Sequence, residues 1–170
     1  MLEQCINAIG AFGPQITFFI SLLLLRKKPT LVLIYIVGFV INTLLVYVLK
    51  GFFQQPRPTD ETTSFNLEKI YRKRPGFDRY GMPSGHTQAV FYSTAFIYYA
   101  LKDGNATIVM LVLSLITAYQ RIQSRHHTVV QVLAGAVGGF TVGYLFFTYG
   151  EHQVKGLLKN KKDDNARKPT

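Results

Sequence analysis

Three short segments of the chain gather residue types that hold an anion and move a proton. Lys50 to Pro58 (KGFFQQPRP) carries two cations, Lys50 and Arg57, and Tyr80 to Gln88 (YGMPSGHTQ) carries Ser84, Gly85 and His86. Arg121 to Gln131 (RIQSRHHTVVQ) places an arginine six residues before His127 and a glutamine four residues after it. A phosphate group needs several donors whose charge survives at working pH; arginine offers a planar fork and lysine a point charge. Lys50 and Arg57 are seven residues apart, but Pro56 and Pro58 interrupt a helix, so Arg57 is expected on a rigid turn. Pro83-Ser84-Gly85-His86 ahead of an apolar run reads as a helix start, with Ser84 as its cap. The first amides there point outward with partial positive charge, and Gly85 lets the backbone approach an anion closely. Gln131, four residues beyond His127, falls one turn on along the same helix face.

These residues need elements that bring them to one place. Five stretches lack Asp, Glu, Lys and Arg: Gln4 to Leu25, Pro29 to Leu49, Met82 to Leu101, Gly104 to Gln120, and His126 to Gly150. Each runs to roughly 17 residues or more, enough for a helix to cross a hydrocarbon core. Leu31 to Val48 shows no recurring polar face, which excludes a soluble amphipathic bundle. The expectation is all-α: a multi-pass bundle of about five transmembrane helices over residues 1–150, followed by a basic, disordered tail over 151–170. With five spans in order, Lys50, His86, Arg121 and His127 all fall on one face of the membrane. The basic run Lys69 to Arg74 in the long loop before Met82 is read as a surface helix or a solvated loop touching anionic lipid.

The net charge of +10 resides at the ends of apolar helices, where anionic headgroups are nearer partners than nucleic acid, and no nucleic-acid module is recognisable. Nine of the nineteen cations lie on the motif face. Setting aside those that would serve phosphate, the surplus tilts to the tail side, which the positive-inside tendency assigns to the cytosol. A single cysteine, Cys5, excludes an intramolecular disulfide.

Taken together, the three motifs resemble the signature of the type 2 phosphatidic acid phosphatase superfamily. Within it they are most similar to the dolichyl-diphosphatase branch, through QQPRP, YGMPSGHTQ and HTVVQV. The superfamily pattern has an arginine, five residues, a histidine and, four positions on, a residue holding the histidine ring. That assigns Arg121, His127 and Gln131, with Arg125 and His126 as outer contacts. Most of the superfamily has aspartate where this chain has Gln131; the glutamine matches the branch, and Gln131→Asp is expected to preserve or raise activity.

The resemblance implies a haloperoxidase-like helical fold and a phosphohistidine mechanism without metal or cofactor. His127 would attack phosphorus, and His86 would protonate the leaving oxygen and then activate water. Lys50, Arg57, Ser84, Gly85 and Arg121 would hold the phosphate oxygens. The implied substrate is a polyprenyl (dolichyl-type) diphosphate, cleaved to the monophosphate. The implied setting is lipid metabolism serving N-glycosylation, at the endoplasmic reticulum with a lumenal active site. Alternatives from the same residues are a phosphatidic acid or other lipid-phosphate phosphatase, or a non-catalytic membrane protein that binds a phosphorylated lipid.

Overall fold

The computed structural model describes residues 2–58 and 76–166, which are helical apart from short connections. Six α-helices follow in order: α1 (Leu2–Ala11), α2 (Gly13–Leu25), α3 (Pro29–Phe53), α4 (Gly85–Leu101), α5 (Gly104–Gln123) and α6 (Val129–Ala166), with a 3₁₀ turn at Gly76–Arg79. The basic run Lys69 to Arg74 lies outside the described residues.

Charge and proline set the boundaries. Pro29 opens α3, where its missing amide costs nothing, and Gln54 ends it in the left-handed conformation (φ 48°). Lys102 ends α4 in the same way (φ 53°), and Asp103 caps α5 by accepting the Ala106 amide at 3.1 Å.

Three of the five expected spans are uninterrupted helices long and apolar enough to cross a membrane: α3, α5 and residues 129–153 of α6. The first expected span is broken. Its two halves, α1 and α2, meet at an angle of 69° around Phe12, and Pro14 at the start of α2 cannot continue a helix from α1. The third, α4, is a shorter helix of 17 residues held inside the bundle. The tail expected to be disordered continues α6 as a helix to Ala166, and Glu151 and Lys155 form an (i, i+4) ion pair at 3.0 Å on its surface.

The polarity of the bundle is reversed from that of a water-soluble one. Leu33, Leu44, Val48 and Val137 are more than 60% exposed, while Thr17, Ser21, Ser93, Thr94, Ser114 and Thr117 are buried. Inner hydroxyls satisfy themselves locally, as in Thr17 Oγ1 to the Gly13 carbonyl (2.9 Å), or between helices, as in Thr94 and Ser114 (2.8 Å). Such an exterior suits lipid, and small or hydroxylated residues at helix contacts suit packing without a hydrophobic drive.

α4 is the hub, packing against α2, α3, α5 and α6. A ring cluster of Tyr35, Tyr92 and Phe96 joins it to α3, and Gln88 Nε2 donates to Asn42 Oδ1 at 3.0 Å. Its contact with α6 is backbone to backbone. A Cβ on Gly135 would lie 2.6 Å from the Ser84 carbonyl oxygen, and one on Gly139 would overlap the Gln88 carbonyl.

Gly139→Val is therefore expected to force α4 and α6 apart. The cost should be about 3 kcal/mol or more, since the obstacle is backbone. Gly104→Ala, with nothing within 4 Å of its Cβ, should be neutral. Thermal midpoints and size-exclusion profiles in detergent check this: equal stability of the two variants would refute the close contact.

Candidate active site

The site lies where the C-terminal end of α3, the N-terminus of α4 and the turn between α5 and α6 converge. Each comes there for a local reason. After Gln54 turns the chain out of α3, the Gln55 carbonyl accepts the Gly81 amide at 2.8 Å, tying the two loops together. Between α5 and α6, Arg125 adopts φ 52°, and the Arg121 carbonyl accepts the amides of His126 (3.1 Å) and His127 (3.2 Å). That tight turn buries His127, which is 4% exposed.

His127 is held on one side of its ring. Nδ1 lies 2.9 Å from the Gly81 carbonyl and 3.2 Å from Gln131 Oε1. A carbonyl only accepts, so Nδ1 carries the proton and the lone pair of the neutral ring is on Nε2. Nε2 accepts from Arg57 Nη1 at 3.0 Å, and the same Nη1 donates to the His126 carbonyl at 3.0 Å. The lone pair of His127 therefore faces a guanidinium.

Gln131, fully buried, uses both ends of its amide. Oε1 faces His127 Nδ1 and accepts the Thr128 amide at 3.2 Å; Nε2 donates to Gln55 Oε1 and to the Pro56 carbonyl, each at 2.9 Å. Its carbonyl accepts the Ser84 amide at 3.0 Å, which fastens α6 to the start of α4. A Cβ on Gly81 would lie 2.5 Å from Gln131 Oε1, so a larger residue there would displace this amide.

Lys50, Arg57 and Arg121 all lie near enough for their charges to bear on His127. Lys50 is 2% exposed; its Nζ donates to the Tyr80 carbonyl at 2.7 Å and lies 3.1 Å from Asp78 Oδ1. Arg57 Nη2 lies 3.6 Å from the same oxygen and donates to the Asp78 carbonyl at 3.1 Å. Arg121 is 6% exposed, and its Nε donates to Gln120 Oε1 at 2.6 Å. His86, half-buried, sits in the first turn of α4, near the Ala11 carbonyl at the α1–α2 break. Gly85 opens α4, half-buried, with Val46 as its near neighbour.

Ser84 departs from expectation. It occupies the cap position of α4, but its side chain accepts no amide. The hydroxyl is fully buried and paired with Thr87 Oγ1 at 3.0 Å. Gly135 of α6 lies against this turn, where a Cβ would come within 2.6 Å of the Ser84 carbonyl oxygen. Sequence reasoning also passed over Gln55 and Asp78. Gln55 stands inside the QQPRP motif and was open to the same reading as its neighbours; a single aspartate in Gly76–Arg79 carries no such signal.

A profile of the PAP2 superfamily matches residues 31–155. A dolichyldiphosphatase of Saccharomyces cerevisiae is 30% identical over 132 residues, covering 71% of this chain and 53% of its own. A lipid A 4'-phosphatase of Helicobacter pylori is 29% identical over 111 residues, covering 65% and 52%. The chain thus spans about half the length of these curated relatives. The crystal structure of Aquifex aeolicus LpxE superposes with a TM-score of 0.65 at 24% identity, covering 87% of this chain and 86% of that one.

Two outcomes follow from the geometry. Burial first, then the charges of Arg57, Lys50, Arg121 and His86, hold His127 well below its ordinary pKa of 6.5. Each disfavours the protonated ring, so the neutral form persists as pH falls. The acid limb of kcat/KM for phosphate-ester hydrolysis is expected below pH 6.5, and Arg57→Gln, which removes one cation, should move it to higher pH. A wild-type limb at or above 6.5 would contradict this. Gln131→Asp, expected from sequence to preserve or raise activity, is expected from this geometry to lower it. The carboxylate removes the donor that serves Gln55 and Pro56, and kcat should fall roughly 10- to 100-fold; wild-type kcat would show that the amide nitrogen is dispensable.

Proposed function

The chain belongs to the PAP2 superfamily, and from that premise we propose that it is an integral-membrane phosphatase cleaving a polyprenyl diphosphate of dolichyl type to the monophosphate. PAP2 phosphatases are hydrolases acting on phosphate esters, and the apolar exterior of the bundle is that of a multi-pass membrane protein. The observation that carries the catalytic reading is the one-sided hold on His127. With Nδ1 engaged by Gly81 and Gln131, Nε2 is the atom presented to the cations. The diphosphate is favoured by the motif dialect and by the 30% identity to a dolichyldiphosphatase.

In the first half-reaction the Nε2 lone pair attacks the terminal phosphorus as the bridging P–O bond breaks. His86, protonated, gives its proton to the leaving oxygen. Water then loses a proton to His86 as its oxygen attacks phosphorus. The P–N bond breaks, and inorganic phosphate and neutral His127 are regenerated. Lys50, Arg57 and Arg121 neutralise the charge on the equatorial oxygens, with the Gly85 amide at the N-terminus of α4 as a further donor. Gln131 positions His127 through Nδ1. Ser84 serves through its backbone, fastening the turn to Gln131.

The charge surplus on the opposite face supports a lumenal site, and such a reaction at the endoplasmic reticulum would regenerate carrier lipid for N-glycosylation. A second reading is a phosphatase of lipid monophosphates, supported by the relative named as a lipid A 4'-phosphatase.

Phosphate release by detergent-solubilised protein, with EDTA present, separates the two. A polyprenyl diphosphate, its monophosphate and phosphatidic acid are compared at equal concentration. Release chiefly from the diphosphate is expected, and His127→Ala should lower it roughly 10⁴-fold or more while the protein still binds inorganic phosphate. Preference for either monoester selects the second reading. Hydrolysis of none by folded protein leaves a phospholipid-binding role.

A further inference from the structure

We propose that Asp78 is an internal competitor for the phosphate subsite, setting how tightly the site holds any phosphate-like anion. The proposal rests on the reading of Lys50 and Arg57 as phosphate ligands. Asp78 Oδ1 lies 3.1 Å from Lys50 Nζ and 3.6 Å from Arg57 Nη2. One carboxylate oxygen therefore stands between the two cations, where an oxygen of a bound phosphate would have to be. The cations are buried, at 2% and 10% exposed, whereas Asp78 is 46% exposed. Moving the cations away would be costly; Asp78 sits on the short Gly76–Arg79 turn at the solvent edge and can withdraw into water.

Chemistry supplies the reason for such a residue. Cations clustered around a histidine at a membrane surface attract every anionic headgroup, and they hold inorganic phosphate after it is cleaved. A tethered carboxylate competes with all of these at a fixed effective concentration. Because it competes for the same donors, it weakens every phosphate-like ligand by one common factor. It leaves the chemical step untouched and returns to the cations as phosphate leaves. Arg57 shares in the exchange: in the resting site its Nη1 is on His127 Nε2, and an arriving phosphate draws the guanidinium away from both Asp78 and the nucleophile.

The alternative role for Asp78 is to stay beside the bound phosphate and align Lys50 and Arg57. The two roles predict opposite signs. If Asp78 competes, Asp78→Asn lowers the dissociation constants for inorganic phosphate and for orthovanadate by the same factor, about fivefold for a half-exposed ion pair. Calorimetry on detergent-solubilised full-length protein measures both directly. KM in the hydrolysis assay should fall by that factor, with kcat no higher than wild type. Constants that rise or stay level in Asp78→Asn, while Lys50→Gln weakens both anions, overturn the proposal and leave the phosphate subsite standing. Wild-type protein that binds neither anion, or binding indifferent to Lys50→Gln, overturns the subsite reading itself. Should Asp78→Asn not remain monodisperse, Asp78→Ala is expected to behave as described for Asn and Asp78→Glu as wild type; the reverse pattern refutes the proposal.

Discussion

Everything at the site depends on how closely α4 approaches α6. Gly135 and Gly139 let the two backbones meet where any larger residue would strike the Ser84 or Gln88 carbonyl. At that separation the Ser84 amide reaches the Gln131 carbonyl, and the N-terminal turn of α4, with Gly85 and His86, is set beside the start of α6. In a bilayer, burying leucine against leucine gains little over leaving it against lipid, so helices find register through close packing and polar contacts. The glycines supply the first, and Gln131 supplies the second.

Gln131 also explains why an amide serves where a carboxylate would orient the ring more strongly. Its oxygen holds Nδ1 of His127 while its nitrogen binds Gln55 and Pro56, so one side chain fixes the nucleophile and anchors the loop that carries Arg57. An aspartate there would be a buried anion close to Lys50, Arg57 and Arg121, the cations whose charges already reach His127. It would pair with them in the resting site and reduce the positive charge available to phosphate. The glutamine forgoes charge stabilisation of an imidazolium and leaves the cations to the substrate.

Much of this was legible in the sequence because it rests on local rules. Uncharged stretches of sufficient length gave the helices, and their order placed Lys50, His86, Arg121 and His127 on one face. What escaped has tertiary causes. The break at Phe12 had a local cue in Pro14, but the packing of α1 against α5, where a Cβ on Gly10 would strike the Gln120 side chain, had none. Ser84 looked like a phosphate ligand because serine before glycine and histidine is a common helix start; its hydroxyl is instead buried and paired with Thr87. Asp78 meets Lys50 and Arg57 across gaps of 28 and 21 residues, and no periodicity encodes such a meeting.

The resting arrangement finally links binding to reactivity. His127 Nε2 is occupied by Arg57 Nη1, and Arg57 is bound in turn to His126 and Asp78. A guanidinium on the lone pair blocks attack and also disfavours protonation of the ring, because a second positive charge there is repelled. In the reaction proposed above, His127 would thereby stay neutral and covered until an anion arrives with enough charge to draw the guanidinium to itself. A phosphate that binds Arg57 would uncover Nε2 in the same movement and bring phosphorus to the place the guanidinium leaves. On that proposal, recognition of the phosphate and exposure of His127 would become a single event in a membrane rich in anionic headgroups.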